Sequence, residues 1–471
     1  MDQQGNTVFQ NPDTQPSPPV IPTQPSAETV IPPSSPPPIP TSFLPKILKI
    51  VSGILVFIFL IFIVFNFIVP RFGKQKKENV TLTYWGLWED SSIVKPVISE
   101  FEKENPNIKI SYSKQDPKQY RQRLMTRIQN GSGPDVFRLH NTWLPMLSKV
   151  LSPLPSDIMT KKDFQQSYYK VSEEDFIRNG AIYAIPLQMD TLALFVNQEI
   201  FQAAGVSVPV SWDEFIRISR GLTVKDEEGK IKTAGAAMGT YDNITHAPDI
   251  ISLLFVQNGV LLDNFSSNPA GISDSLDFYT SFAKGESNVW DTTLDNSILA
   301  FSKGNLAMYL GYSWDIFTIK ALNPGLNFTT HPVPRLAGKG TTISSYWADG
   351  VSAKSKNQKE ALLFLKFLAR KETVQKLYSQ EAKTRLFGEL YARRDLENSL
   401  KDNSLIFPFV SQANDATSSF FASDTYDDGL NSQMNTYLAD AVRAILKDTS
   451  PQTATETLIK GVEQVLGQYS N

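Results

Sequence analysis

The stretch VTLTYWGLWEDSSIVKPVISEFEKENPNIKISYSKQ, residues 80–115, decides the fold class. Its opening, VTLTYWGLW, alternates along the chain and is rich in aromatics, the pattern of a strand. Val97, Ile98 and Phe101 then share one face of a helix, and Asn105-Pro106 breaks that helix before a second strand, IKISY. QYRQRLMTRIQNG (119–131) adds a helix carrying Leu124 and Ile128 that stops at Gly131, and DVFRLH (135–140) reads as a third short strand. Alternation of this kind predicts an α/β lobe with helices covering a sheet.

The pattern resumes further on. ALFVN (193–197), an amphipathic segment from Trp212 to Leu222, and LAMYLG (306–311) predict a second α/β lobe, while KEALLFLKFLARKETVQKLY (359–378) and the C-terminal end read as helices. No repeat of solenoid period occurs. In FSKGNLAMYLGYSWDI (301–316) the apolar run Leu306 to Leu310 stops at Gly311, and Trp314 follows at once. A buried strand normally ends in a polar turn, so this indole is expected to serve something outside the core.

Composition sets the bounds. A chain of 471 residues exceeds the length of most single cores, and its 41% hydrophobic content supports a core in each of two lobes. Net charge is −3; residues 78–471 hold 39 basic and 45 acidic side chains with no long basic run, which argues against a nucleic-acid partner. The absence of cysteine removes disulfides, thiolate metal sites, cysteine nucleophiles and a lipid-modified cysteine.

Residues 1–45 hold 13 of the 30 prolines among Ser, Thr and Gln, and are expected to be a disordered tail with local polyproline II. The 20 residues from Ile50 to Val69 carry no charge and predict one transmembrane helix in an anchor spanning 46–70, with a linker at 71–79. A cleaved signal peptide fits less well, because the run is long, its flank is proline-rich and no small-residue cleavage site follows. Arg71, Lys74, Lys76 and Lys77 outnumber Lys46 and Lys49, which by the positive-inside tendency favours a cytoplasmic body. Long domains translocate largely regardless of flanking charge, so the character of the body decides.

That body carries five motifs in fixed order: TYWGLWED with FEKENPNIKI, GSGPDVFRLHNTWLPML, IYAIPLQMDTLALFVNQEIFQAAGVSVPVSWDEF, FSKGNLAMYLGYSW, and SYWADGVSAKSKNQKEALLFLKFL. Over about residues 80–470 it resembles the family 1 extracellular solute-binding proteins, the maltose-binding-protein-like receptors of ABC importers. The resemblance implies two α/β lobes of periplasmic-binding-protein type, joined by hinge crossovers, with ligand in the cleft between them. The first lobe would comprise 80–187 and 335–372, the second 192–330 and 375–471. It further implies a monomeric receptor without enzymatic activity or cofactor, which captures a small ligand, a carbohydrate in the first instance, for importer permease subunits. The tail would then be cytoplasmic and the body extracytoplasmic, on a single-pass anchor in the cell membrane. An uncleaved helix departs from the family's usual export arrangement.

A sugar cleft needs flat apolar faces and side chains that pair with hydroxyls. The resemblance places Trp314 in a G-x-W loop that meets ligand, and Asp190 in a crossover where an acidic residue reaches it. An unpaired carboxylate between two apolar runs would be costly to bury, so Asp190 needs a partner or a wet cleft. Trp88, Glu89 and Asp90 follow the first strand at its C-terminal end, where open α/β sheets collect ligands. Glu89 would accept hydroxyl protons there; Asp90 equally suits a helix N-cap. His140 and Asn141 end the third strand similarly, while Trp347, Asp349 and, more weakly, Tyr241 complete the candidate set. Trp143 and Trp212 are assigned to packing, with Ser211 capping a helix.

Enzyme signatures are sparse. The three histidines lie in no metal-binding spacing, no phosphate loop or dinucleotide fingerprint occurs, and GYSWD lacks the second glycine of a nucleophile elbow. DTYDDGLNSQMN (424–435) has a glycine at the sixth place of a calcium loop, but Tyr426 and Asn435 stand where oxygen ligands are required, so it reads as a surface turn and no metal is expected. The rival readings are a receptor or sensor for a peptide, polyamine or glycerophosphodiester, a surface glycosidase using Glu89 and Asp349, and an adhesin.

Overall fold

A computed structural model describes residues 44–68, 79–336 and 340–469. The chain divides into two compact units, 1–77 and 78–471. Within the first, an α-helix runs from Leu44 to Ile63 and continues as a wider turn, Val64–Ile68. Its uncharged part from Ile50 to Ile68 is about 30 Å long at 1.5 Å per residue, and from Ile50 to Phe65 its large apolar side chains are exposed except for the half-buried Ile63. The helix is long and apolar enough to cross a membrane. Tail residues 1–43, Val69, the flanking cations at 71–77 and most of the linker lie outside the described residues.

The second unit contains two five-stranded sheets. Their strands are β1 (Val80–Gly86), β2 (Ile108–Lys114), β3 (Val136–His140), β4 (Ile185–Pro186), β5 (Ala193–Asn197), β6 (Val224–Lys225), β7 (Ile231–Ala236), β8 (Leu306–Gly311), β9 (Phe328–His331) and β10 (Trp347–Val351). The first sheet has the order β2-β1-β3-β10-β4 and the second β9-β5-β8-β7-β6. β1 pairs in parallel with β2 and β3, as the strand–helix–strand reading requires. β10 enters antiparallel between β3 and β4, so the chain returns to its first sheet after building the second.

Local chemistry accounts for the elements. Helix Ser91–Glu104 buries Val94, Val97, Ile98 and Phe101 along one stripe, and Asn105 N donates to Phe101 O where the helix ends. Ser211 Oγ accepts from Glu214 N at 3.3 Å while Glu214 Oε2 accepts from Val210 N at 2.8 Å, closing a reciprocal cap on helix Trp212–Leu222. Trp143 and Trp212 are buried, and the Trp212 indole donates to Gln257 Oε1 at 2.8 Å.

Three segments pass between the lobes side by side. Residues 187–192 lead from β4 to β5, Leu192 N donates to Ile343 O at 2.8 Å, and strand Thr342–Ser344 pairs in parallel with Ala416–Ser418. The C-terminal helices Leu430–Leu446 and Pro451–Gly467 pack with Pro269–Ser281 in the second lobe. Helix Lys371–Glu381, by contrast, packs on helix Ser91–Glu104. It buries Val374 and Leu377.

Candidate ligand-binding cleft

Where the crossovers meet, a cavity of about 490 Å³ opens between the lobes. Trp88, from the loop after β1, and Trp347, at the start of β10, form one aromatic wall with ring centroids 5.4 Å apart and nearly perpendicular. Trp347 is backed edge-on by His140 at 5.0 Å and Trp143 at 5.3 Å. Trp314 belongs to the second lobe and stacks on Tyr312 at 4.3 Å with the rings 17° from parallel. Gly311 precedes it for reasons of space: a Cβ there would collide with the Asp315 carboxylate and the Tyr309 ring.

Asp190 reaches the cavity from the first crossover. Its carboxylate accepts from Ser313 N and Thr191 N, each at 2.8 Å, and from Ser313 Oγ. Burial pushes this carboxyl well above its ordinary range, against the pull of those hydrogen bonds. Asp315, beside Trp314, accepts from Tyr309 Oη at 2.7 Å and lies 2.8 Å from His246 Nε2. Burial opposes charge on His246, but Asp315 overrides it and holds the imidazole at about 9. Its Nδ1 is 2.7 Å from Ser423 Oγ and 3.7 Å from Asp424 Oδ2, so one buried cation supports two carboxylates of the wall.

Of the residues singled out in the sequence, Trp88, Asp190, Trp314 and Trp347 line the cavity; the others lie elsewhere. Glu89 and Asp349 are buried around Arg138, which donates Nη1 to Glu89 Oε1 at 2.8 Å and Nε to Asp349 Oδ1 at 3.0 Å. Tyr84 Oη adds a bond to Asp349 at 2.9 Å. Burial works against the Glu89 charge, yet Arg138 holds its carboxyl below the ordinary range. Both carboxylates thus serve the core of the first lobe, and the glycosidase pairing loses its geometry. Asp90 pairs with Lys114 at the surface and makes no side-chain cap.

His140 is enclosed between Thr142 Oγ1 at 2.8 Å and Ser345 Oγ at 3.0 Å, and burial pushes its imidazole down to about 3. Asn141 donates to Ser418 Oγ at 2.7 Å and to Asp175 Oδ2 at 3.2 Å, among the crossovers. Tyr241 donates to Asn435 O at 3.2 Å. The expectation for His140 and Asn141 used a strand end alone, whereas side-chain direction and the neighbouring crossovers decide what reaches the cavity.

DTYDDG is a turn with Asp424, Tyr426 and Asp428 exposed, as expected, but it also borders the cavity. Asp424 and Tyr426 line the cavity, Tyr426 lies 6.2 Å from Trp88, and Asp427 is fully buried, accepting from Asn431 N and Ser432 N at the start of the long C-terminal helix. Arg121 of the first lobe donates Nε to Asp427 O at 2.5 Å, which fixes the loop across the cleft. Asp424, Tyr426 and Asp428 all have left-handed backbones, with φ of 55°, 52° and 45°. Arg385, Glu389, Phe317, Gln188, Ser345 and Tyr346 also line the cavity without having been singled out. Gln188, Ser345 and Tyr346 flank Asp190 and Trp347, a signal that was available. Arg385 and Glu389 had no such marker.

The sequence model for bacterial extracellular solute-binding proteins matches residues 85–375, and the chain belongs to that family. Among curated relatives, it is 25% identical over 323 residues to the multiple sugar-binding protein of Streptococcus mutans, an alignment spanning 65% of this chain and 75% of that one. It is 26% identical to the diacetylchitobiose binding protein DasA of Streptomyces coelicolor, over 52% of this chain and 58% of the other. A cyclo/maltodextrin-binding protein solved with maltotetraose superposes with a TM-score of 0.68 at 17% identity, covering 83% of this chain and 98% of that one, which establishes the common two-lobed fold.

Two outcomes follow from the buried charges. Arg138→Met leaves Glu89 and Asp349 without their cation, so denaturant unfolding should show a loss of about 3–5 kcal/mol, part of it recovered by adding Glu89→Gln and Asp349→Asn; an unchanged midpoint would show that the network does not stabilise the fold. His246, raised above its unfolded value of about 6.5, contributes stability that is complete below that pH and lost as pH rises through about 9. The wild type's advantage over His246→Gln should therefore shrink by roughly 2 kcal/mol or more between pH 6 and pH 10. A gap that stays constant with pH would mean that the imidazole is neutral among Asp249, Asp315 and Asp424.

Proposed function

We propose that this protein is a membrane-anchored extracytoplasmic receptor that captures a saccharide between its lobes and presents it to the permease of an ABC importer. One observation carries the saccharide reading. Trp314 of one lobe and Trp88 with Trp347 of the other border a single cavity, with Asp190 rising from the crossover beside them. Sugar rings have apolar C–H faces that seat on indoles, and hydroxyls that donate to carboxylates. The relatives in Streptococcus mutans and Streptomyces coelicolor are named for sugar ligands, which supports the same reading. Closure of the lobes on ligand would shift the population towards the form that docks on a permease. Transport energy would come from the partner subunits, and the helix Leu44–Ile63 would keep the receptor at the membrane.

Replacing Trp314 tests the cleft. A thermal-shift screen of saccharides supplies the ligand, since one that binds only the native state raises the melting temperature, and calorimetry then compares Trp314→Ala with the wild type. Affinity should fall by about thirtyfold, or 2 kcal/mol, while the ligand-free melting temperature moves by only a few degrees. Normal binding with a much lower melting temperature would make the indole a core residue. Topology has its own test: protease added to intact, wall-stripped cells should digest the body, and survival until the membrane is opened would sink the importer reading.

A further inference from the structure

Two aromatic side chains meet across the cleft. Phe317 stands on helix Asp315–Leu322, which follows β8 of the second sheet, and Lys320 of the same helix lies 5.0 Å from the ring centroid of Phe328 in β9. Phe387 belongs to the other side. Its neighbours are tied to helix Lys371–Glu381: Glu389 N donates to Glu381 Oε2 at 2.6 Å, and a Cβ on Gly388 would collide with the Tyr378 backbone. That helix packs on Ser91–Glu104 beside the first sheet, and Arg370, just before it, pairs with Glu104 at 2.8 Å. The Phe317 and Phe387 rings are 4.5 Å apart and 31° from parallel. Arg385 completes the contact, with its guanidinium 5.0 Å from the Phe317 centroid, 2.8 Å from Glu389 Oε1 and 3.2 Å from Glu381 Oε2.

Such a contact has a conformational meaning. Rings on two bodies that hinge apart keep their mutual contact, and the cation keeps its ring face, only while the bodies are together. Arg385 Nε supplies the opposing push: it is buried and donates to nothing in this arrangement. A buried unpaired donor is costly, and water entering as the cleft opens would satisfy it. The contact is therefore poised between two states rather than locked. The outgoing crossover runs close by, since Met189 N donates to Leu390 O at 2.9 Å, three residues beyond Phe387. Phe317 and Arg385 line the cavity, whereas Phe387 is buried and does not.

We propose that Phe317, Phe387 and Arg385 form a latch that holds the two sides of the cleft together before any ligand arrives. Apparent affinity scales with the fraction of receptor already in the competent state, so Phe387 influences binding without lining the cavity. The latch rests on the two-lobed fold and not on the saccharide reading. The absence of cysteine allows a test without ligand. Ser92, four residues after Trp88, and Thr292, six before Ile298, are exposed on either side of the cleft. Nitroxide labels on Ser92→Cys and Thr292→Cys, in the full chain in detergent micelles, report the distance between the sides by pulsed electron paramagnetic resonance. The labelled parent should show a short-distance population, and Phe317→Ala should lower its ratio to the long-distance one about tenfold, as expected from losing a ring pair and a cation–ring contact. Phe387→Leu and Arg385→Gln should shift it in the same direction by smaller factors. Trp314→Ala, which truncates the wall but has no ring contact with Phe387, should leave the distribution unchanged. A parent without the short population, a distribution unmoved by Phe317→Ala, or an equal shift in Trp314→Ala overturns the latch. Phe317 is only half-buried, so Phe317→Ala decides alone if Phe387→Leu fails to fold. Each of these results leaves the saccharide reading standing, and failure of every saccharide to bind leaves the latch standing.

Discussion

The Asp190 carboxylate takes Ser313 N and Thr191 N at 2.8 Å each, while its backbone carbonyl accepts from Ser345 N at 3.1 Å. Those bonds join the outgoing crossover, the loop after β8 and the returning crossover at one buried point. The arrangement of the cleft depends on it. Ser313 is next to Trp314, Ser345 is two residues from Trp347, and Asp190 is two from Gln188, so one residue registers the aromatic surfaces of both lobes. A buried carboxylate is costly unless it is hydrogen-bonded, and the donors that meet that cost are its neighbour Thr191 and the distant Ser313. The lining of the cavity and the joining of the crossovers therefore constrain the same side chain.

The two aromatic walls are supported differently. Trp347 is 8% exposed and packed by His140 and Trp143, which fixes it as part of the first lobe's core. Trp314 rests on Tyr312, whose hydroxyl donates to Asp249 Oδ1 at 2.8 Å, and it is only partly covered. Stacking on a ring that is itself anchored orients the indole without enclosing it. Offset ring pairs of this kind add about 0.5–1.5 kcal/mol beyond area burial.

Much of the fold was legible because its signals are local. The spacing of Val97, Ile98 and Phe101, the Asn105-Pro106 break, and Ser211 before Glu214 each determine an element within a few residues. Trp314 and Asp190 were legible for another reason: an indole beyond a strand-ending glycine, and an acid between apolar runs, are anomalies in a core and so point away from it. Glu89 and Asp349 looked equivalent to Asp190, and only Arg138, placed by β3 between them, shows that they serve the core. A charge's role depends on its partner, and partners from distant strands leave no mark in a linear pattern.

The loop from Asp424 to Gly429 shows the same limit more sharply. Its turn-forming composition is a correct local reading, since Asp and Asn tolerate left-handed conformations better than most residues, but composition does not reveal what the turn faces. Left-handed backbones at Asp424, Tyr426 and Asp428 cost on the order of 1–3 kcal/mol each, and persist only if the surroundings over-determine them. Asp427 does so from one side by capping helix Leu430–Leu446, and Arg121 does so from the other by holding the Asp427 carbonyl. Between Ser423, whose N donates to Asp249 Oδ2 at 3.0 Å, and this fixed Asp427 the alternating conformation places Asp424 and Tyr426 at the cleft, beside His246 and Trp88 respectively. Strain that a solvated turn would relax is retained here because Asp427 is held on both sides, by the C-terminal helix and by Arg121.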